Sequence, residues 1–251
     1  MRAVWTLALA ALVATSVSAA VDPETAVGIW LFDEGSGDVA ADSSGNGNDG
    51  ELVGAGWADG VRGMAVEFDG VSHVAFPANA TTDDFLDGFT YMLWVDVVAA
   101  GNANVRIMER DWHNPTIQTG GGDFYGSIVT GANDITNGIR GGTALPGEFV
   151  HVALTHDGSK LILYVAGEAV NESDVAEPTL TNANDGGAIW LGQWKAPNWD
   201  LTGRVDEVAA FNVALDQGDI QSLMENGLET LLAVEPQDKL AVSWASLKAG
   251  S

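Results

Sequence analysis

From residue 26 onward, apolar residues arrive in short runs separated by clusters of Gly, Asn and Asp, and helical spacing is absent until about residue 215. Runs of this kind, bounded by turn residues, predict β-strands. AVGIWLF (26–32) is the first, and MAVEFDG (64–70) and HVAFP (73–77) predict two strands either side of a tight turn. FTYMLWVDV (89–97) alternates, with Phe89, Tyr91, Leu93, Val95 and Val97 on one face and Thr90, Met92, Trp94 and Asp96 on the other. Residues 105–142 predict one or two strands amid much glycine. EFVHVALTHDGSKLILYVAGEAV (148–170) predicts a hairpin turning at Asp157-Gly158. AIWLGQW (188–194) and GRVDEVAAFN (203–212) predict two more strands, and Trp30, Trp94 and Trp190 fall in strand patterns as core residues. Asp216 is positioned to cap a short helix in LDQGDIQSLMENG, stopped by Gly227. With no internal repeat and no Pro- or Ser-rich linker, the pattern predicts one all-β domain, an antiparallel β-sandwich over 21–232, followed by an extended tail at 233–251.

The first twenty residues, MRAVWTLALAALVATSVSAA, break this pattern. Arg2 precedes an apolar run and small residues close it, which predicts a cleaved secretory signal peptide. The run is shorter than the roughly 20 residues needed to span a bilayer. The expected location is therefore secreted, extracellular or periplasmic, without membrane insertion. Removing Arg2 takes the formal charge from −25 to −26. So acidic a surface argues against nucleic acid as a partner and favours divalent cations. Cysteine is absent, so a secreted chain of this kind must be held by packing, or by metal, rather than by disulfides.

Taken together, WLFDEGSG (30–37), DSSGNGNDG (42–50), GMAVEFDG (63–70), FTYMLWV (89–95), FVHVALTHDGSKLILYVAG (149–167) and GRVDEVAAFNVAL (203–215) resemble successive blocks of the laminin-G-like, concanavalin A-like lectin/glucanase domain of secreted bacterial proteins. The resemblance implies a jelly roll of two curved antiparallel sheets. Members bind sugars, glycoconjugates or proteins, often with a calcium ion, and some serve only as spacers, so the fold narrows function without assigning it.

A hard cation such as calcium takes roughly six to eight oxygens. The stretch FDEGSGDVAADSSGNGNDG (32–50) offers Asp42 and Asp49, the amides of Asn46 and Asn48, and glycines that let the backbone curl. It is not an EF-hand, because Val53 stands where the bidentate Glu would be. The family resemblance implies a different site, a calcium tying the start of the domain to a late strand, with Asp206 where the family has its acid. Asp33, Asp42 and Asp206, then Asn46 and Asn48, are the candidate ligands of a structural calcium. The competing reading is that 42–49 makes Asx turns and that Asp206 accepts backbone hydrogen bonds.

Catalytic machinery is not evident. Glu67-Phe68-Asp69 begins like the Glu-x-Asp-x-x-Glu strand of laminarinase-type hydrolases, which need two carboxyls about 5 Å apart, but Ser72 replaces the second Glu. There is no Gly-x-Ser-x-Gly elbow, and His73, His113, His151 and His156 include no metalloprotease pair. The expectation is a non-enzyme. Sugar recognition instead needs aromatic faces and planar polar groups in loops. Two clusters qualify: Trp112, His113 and Asn114, and, around Pro197, Trp194, Lys195, Asn198 and Trp199, with Tyr125 and Arg110 as further contributors. The function expected is a secreted, non-catalytic module binding an extracellular glycan or glycoprotein. The alternative is an adhesive or structural protein-binding domain.

Overall fold

The alternation along 89–97 is realised as a nine-residue strand whose Phe89, Tyr91, Leu93, Val95 and Val97 all enter one core. The computed structural model describes residues 21–79, 82, 85, 88–98, 104–110, 114–129, 138–175, 188–193 and 199–232. The expected signal segment 1–20 and tail 233–251 lie outside the described residues. In chain order the strands are β1 (Ala26–Trp30), β2 (Val39–Ala40), β3 (Gly50–Val53), β4 (Gly56–Asp59), β5 (Met64–Asp69), β6 (His73–Phe76), β7 (Phe89–Val97) and β8 (Val105–Arg110). They continue as β9 (Thr116–Gly120), β10 (Asp123–Ser127), β11 (Gly138–Gly141), β12 (Val150–His156), β13 (Lys160–Val165), β14 (Glu168–Asp174), β15 (Ile189–Leu191) and β16 (Thr202–Phe211). Two helices, α1 (Gln217–Asn226) and α2 (Glu229–Leu232), close the described chain.

These strands form two antiparallel sheets. The first runs β14-β13-β12-β7-β16-β5-β4, and β16 is long enough to pair β5 along its first half and β1 along its second. The second runs β11-β10-β9-β8-β15-β6-β3-β2. Between them lies the main core, from Trp30, Phe32, Phe68, Phe76 and Phe124 to Leu154 and Val208. Gly126 faces this core, where a Cβ would collide with the Leu154 side chain. A second apolar layer covers the outer face of the first sheet, where Met92, Ala153, Ala209 and Phe211 pack under Ile220, Leu223, Leu228 and Leu231. Asp216 caps α1 by accepting from the Asp219 N–H at 2.9 Å, and Gly227 ends it, as the residues predict.

Three features go beyond what the strand pattern shows. First, β5 and β6 do not pair with each other. The turn after Asp69 carries the chain from the first sheet to the second, so that Val66 and Phe68 on one layer and Val74 and Phe76 on the other all reach the core. Second, residues 105–142 contribute four strands, not one or two. Their outward positions are polar yet buried (Arg106, Glu109, Thr116, Gln118), which breaks the apolar alternation that marks a half-buried strand. Third, Asp206 and Glu207 do not simply alternate. Glu207 has φ 48° and occupies a bulge between Asp206 and Ala209, so the following Val208 turns into the core.

Candidate ligand-binding face

The register of the second sheet lines up its outward side chains. Trp190 on β15 lies opposite Glu109 on β8, Glu109 opposite Thr116 on β9, and Thr116 opposite Ser127 on β10. One step along, Arg106 lies opposite Gln118, Gln118 opposite Tyr125, and Tyr125 opposite Arg140 on β11. Between these two rows β8 carries a bulge at Ile107 and Met108, both of which go to the core. That bulge is why Arg106 and Glu109, three residues apart, share the outer face.

The rows are linked by charge and hydrogen bonds. Arg106 Nη1 donates to Gln118 Oε1 at 2.7 Å. Its Nε lies 3.1 Å from Glu109 Oε2, an ion pair held off the hydrogen-bond axis. Thr116 Oγ1 lies 3.4 Å from the same carboxylate oxygen. Arg106 and Glu109 are 4% and 0% exposed, and pairing offsets part of the cost of burying two ionisable groups. Burial lowers the guanidinium pKa, and Glu109 opposes that shift. The guanidinium also sits 5.3 Å from the centre of the half-buried Trp199 ring. At the far edge Arg140 lies over Tyr125 at 4.6 Å and donates to the Gly120 carbonyl.

On the other flank, His73 of β6 packs against Trp190, ring centroids 5.1 Å apart. Burial lowers the His73 pKa, against the pull of Asp200 and Glu51. Neither His73 Nδ1 nor Trp190 Nε1 has a hydrogen-bond partner. Asp200 in turn accepts from Gln193 Nε2 at 2.6 Å. The face thus combines half-exposed aromatic rings with fixed, planar hydrogen-bonding groups. Rings of this kind cover the C–H patches of a pyranose, and guanidinium, carboxylate and amide groups bond its hydroxyls.

Of the predicted ligand contacts, Trp199 is on this face. Asn114 is not a surface contact: it is 2% exposed, and its carbonyl accepts from Arg110 Nη1. Arg110 is likewise fully buried, donating to Thr82 as well and lying over Phe85. Trp112, His113, Trp194 and Asn198 lie outside the described residues. Trp30 is core, packed against Phe76 with ring centroids 4.1 Å apart and planes tilted by 38°, whereas Trp94 and Trp190 are half-buried on the outer faces of the two sheets. Trp190, Arg106, Glu109 and Gln118 were missed as site residues because only the cross-strand register puts them together.

The candidate calcium ligands serve other partners. Asp42 Oδ1 accepts from the Ile29 and Ser44 N–H groups, and its Oδ2 accepts from Asn48. Asn46 and Asn48 turn their Nδ2 groups, which are donors, onto the Ala26 and Val27 carbonyls. Asp33 accepts from the Met64 N–H. Asp206 Oδ2 accepts from Val61 and Arg62, and its Oδ1 from Glu207. Amide hydrogens therefore point where a cation would have to sit. Among the described residues no three His, Asp or Glu side chains gather as a metal site, and the side chains named for calcium are engaged by hydrogen bonds within the protein. Burial nevertheless pushes the Asp206 pKa up to about 7.

The laminarinase-like pair is also elsewhere. Glu67 and Asp69 project from β5 on the first sheet, opposite Arg204 and Thr202, and Asp69 is engaged by Ser72 and the Val71 N–H. A cavity opens on that same sheet between Thr155, Ile162, Tyr164, Leu215 and Gln217, but the charged groups at its rim are engaged by other partners. Asp157 holds Ser159 and the Lys160 N–H, and Lys160 pairs with Glu172.

The family model of the concanavalin A-like lectin/glucanases superfamily matches residues 68–221, and the chain belongs to that superfamily. Comparison with curated proteins gives no match. Among solved structures, the chain is similar to the binding domain of Paraclostridial Mosquitocidal Protein 1, with 15% identity, a TM-score of 0.66, and 81% of this chain aligned to 52% of that one. It is also similar to the binding domain of botulinum neurotoxin DC in complex with rat synaptotagmin II (14% identity, TM-score 0.65, 82% and 52% covered). The same domain in complex with SialylT gives 13% identity and a TM-score of 0.64, with 82% and 52% covered. The chain thus spans about half the length of these binding domains and shares their fold.

Proposed function

We propose that the protein is a non-catalytic, extracellular module that binds glycans or glycoconjugates through the outer face of its second sheet. The observation that carries this reading is the pair of rows in which buried Arg106, Glu109, Thr116 and Gln118 are flanked by half-exposed Trp190, Trp199 and Tyr125. Burying an ion pair in a sheet face costs desolvation and does little for stability, so its position beside aromatic rings fits recognition better than folding. Solved domains of this fold support the reading. One carries SialylT and another a protein, rat synaptotagmin II. The absence of a glucanase motif on this face, and the engagement of Glu109 by Arg106, favour binding over hydrolysis. The expected secretory leader supports an extracellular setting.

The test is a glycan array and calorimetric titration of the purified protein beside its Trp199→Ala variant. Binding by the parent and its loss in the variant is the expected result. If no glycan binds while a cell-surface protein is retained, the module is an adhesive protein-binding domain instead. Release of reducing sugar from a bound glycan would make it an enzyme.

A further inference from the structure

We infer that the outer face of the first sheet carries a second, weaker sugar-contact site, centred on Trp94 and Arg204, so that one molecule bridges two glycan chains. The inference rests on the glycan-binding reading and adds a site on the opposite side of the sandwich. On this face α1 and α2 pack over Met92, Ala153, Ala209 and Phe211. Further along β7 come Trp94 and Asp96, on the same side and about 7 Å apart at two residues of strand. Trp94 is half-exposed and is braced by His151, with ring centroids 5.3 Å apart and planes at 70°. Its Nε1 reaches solvent and has no hydrogen-bond partner among the described residues.

Beside Trp94 a row crosses three strands, with Glu67 on β5 opposite Arg204 on β16, and Arg204 opposite Asp96 on β7. Arg204 Nη2 and Nε donate to Asp96 Oδ2 at 2.7 and 3.2 Å, and Nη1 donates to the Asp59 carbonyl at 3.0 Å. Those bonds use three of the five N–H donors of the guanidinium and leave two, on a side chain that is 28% exposed. The same group lies 4.7 Å from the centre of the half-exposed Phe149 ring. Asp96 Oδ1 accepts from the Gly147 N–H at 2.8 Å, which ties the approach to Phe149 to the carboxylate that holds Arg204. Glu67 is exposed, and among the described residues its carboxylate has no hydrogen bond and no ion pair.

Open donors, an open acceptor and two rings therefore share one patch, and the row from Glu67 to Asp96 spans about 10 Å at two strand spacings. A pyranose can lay its C–H patch on Trp94 and bond its hydroxyls to Arg204 and Glu67. These groups are solvated in the free protein, so a sugar must first displace their water, which makes this the weaker site. Trp94 and Trp199 project from opposite sheets, whose backbones lie about 10 Å apart. One short oligosaccharide cannot touch both, so filling both takes two chains.

The experiment titrates the full protein by calorimetry with neutral oligosaccharides from xyloglucan, xylan and galactomannan, and follows the turbidity of the soluble polysaccharides on mixing. The expected result is two sites per molecule, the tighter lost in Trp199→Ala and the weaker in Trp94→Ala, with turbidity from cross-linking lost in either variant. Because Trp94 packs on His151, a second variant guards against misfolding. Glu67→Ala removes a side chain without partners and is expected to weaken the second site about tenfold and to reduce turbidity at an unchanged melting midpoint. A single site abolished by Trp199→Ala, with Trp94→Ala and Glu67→Ala like the parent, would overturn the inference and leave the glycan-binding reading standing. A single site abolished by Trp94→Ala alone would overturn both the bridging and the assignment of binding to the second sheet. Binding of no glycan, here or on an array, would overturn inference and reading together.

Discussion

The Arg106 guanidinium lies 5.3 Å from the centre of the Trp199 ring, while the Trp199 carbonyl accepts the Arg106 backbone N–H at 2.7 Å. Main chain and side chain thus bind the same two residues together. The segment following β15 is pinned to the start of β8, and one tryptophan is held beside a guanidinium that is paired with Glu109. A ring fixed in this way loses little conformational freedom when a ligand stacks on it, which is what a contact surface requires.

Replacing that ring therefore separates binding from folding. Trp199→Ala is expected to cost about 1 kcal/mol of stability, the size of an exposed cation–π contact, and to weaken glycan binding about tenfold or more, as for a central aromatic contact. Melting curves and calorimetry of the same preparation check both. A large fall in the midpoint with unchanged affinity would make Trp199 a packing residue.

The turn cluster at 42–49 is held by the Ile29, Ser44 and Asn48 N–H groups donating to Asp42. Excess chelator is expected to move the melting midpoint by less than about 1 °C, because a ligand bound only to the folded state raises stability by RT ln(1 + [L]/Kd). Asp42→Ala, which leaves three N–H donors without an acceptor, is expected to cost about 3 kcal/mol whether or not calcium is present. A midpoint that falls several degrees in chelator, and a variant that no longer responds to it, would restore the cation.

Gly60 sits under the other half of the expected clamp. A Cβ there would meet Asp206 Oδ2 and the Met64 carbonyl, both at 2.5 Å. Backbone cannot yield cheaply, so Gly60→Ala is expected to destabilise the fold by about 2 kcal/mol or more. Chemical denaturation measures this, and a neutral result would show that the 60–64 turn is free of β16.

Two buried groups contribute opposed slopes to stability against pH. His151 is 1% exposed, both of its ring nitrogens lack partners, and burial pulls its pKa from 6.5 to about 4. Its folded pKa is depressed, so its contribution is fully present above pH 6.5 and is lost as pH falls toward 4, by about 3 kcal/mol in all. Asp206 runs the other way. Raised from 3.8 to about 7, it contributes most below pH 3.8 and loses that contribution as pH rises through 7. Across the interval from 4 to 6.5 the two slopes oppose each other in the parent protein. His151→Leu is expected to gain on the parent as pH falls through that interval. Melting curves at successive pH values test this, and a difference that does not change with pH would show that His151 keeps its ordinary pKa.

Much of the fold was legible from local pattern. The alternation at 89–97, the Asp157-Gly158 hairpin and the Asp216 to Gly227 helix limits depend on neighbours in sequence, and all three stand as read. The site was legible only at Trp199 and Tyr125. Trp190 reads as core because a tryptophan between Ile189 and Leu191 looks the same whether its face is covered or open. Arg106 and Glu109 carry no site signal in the sequence, yet a bulge at Ile107 and Met108 puts them on one face and buries them together. Asn114 and Arg110 read as surface because they stand in a polar, glycine-rich stretch, and their mutual hydrogen bond takes both inside.

The amino-acid sequence by itself determined the limits of several strands and of α1, the apolar side of most of those strands, the acidic surface and the membership of a β-sandwich family. Those follow from side-chain alternation, capping and turn chemistry, which act over a few residues. Only the tertiary structure decided which strands share a sheet, that β5 and β6 belong to different layers, and that the carboxylates of the opening loop face amide hydrogens. It also decided that Trp190, Glu109, Thr116 and Ser127 form one row. Register between strands distant in sequence is set by how two sheets close over a common core, and no local pattern along one strand records it.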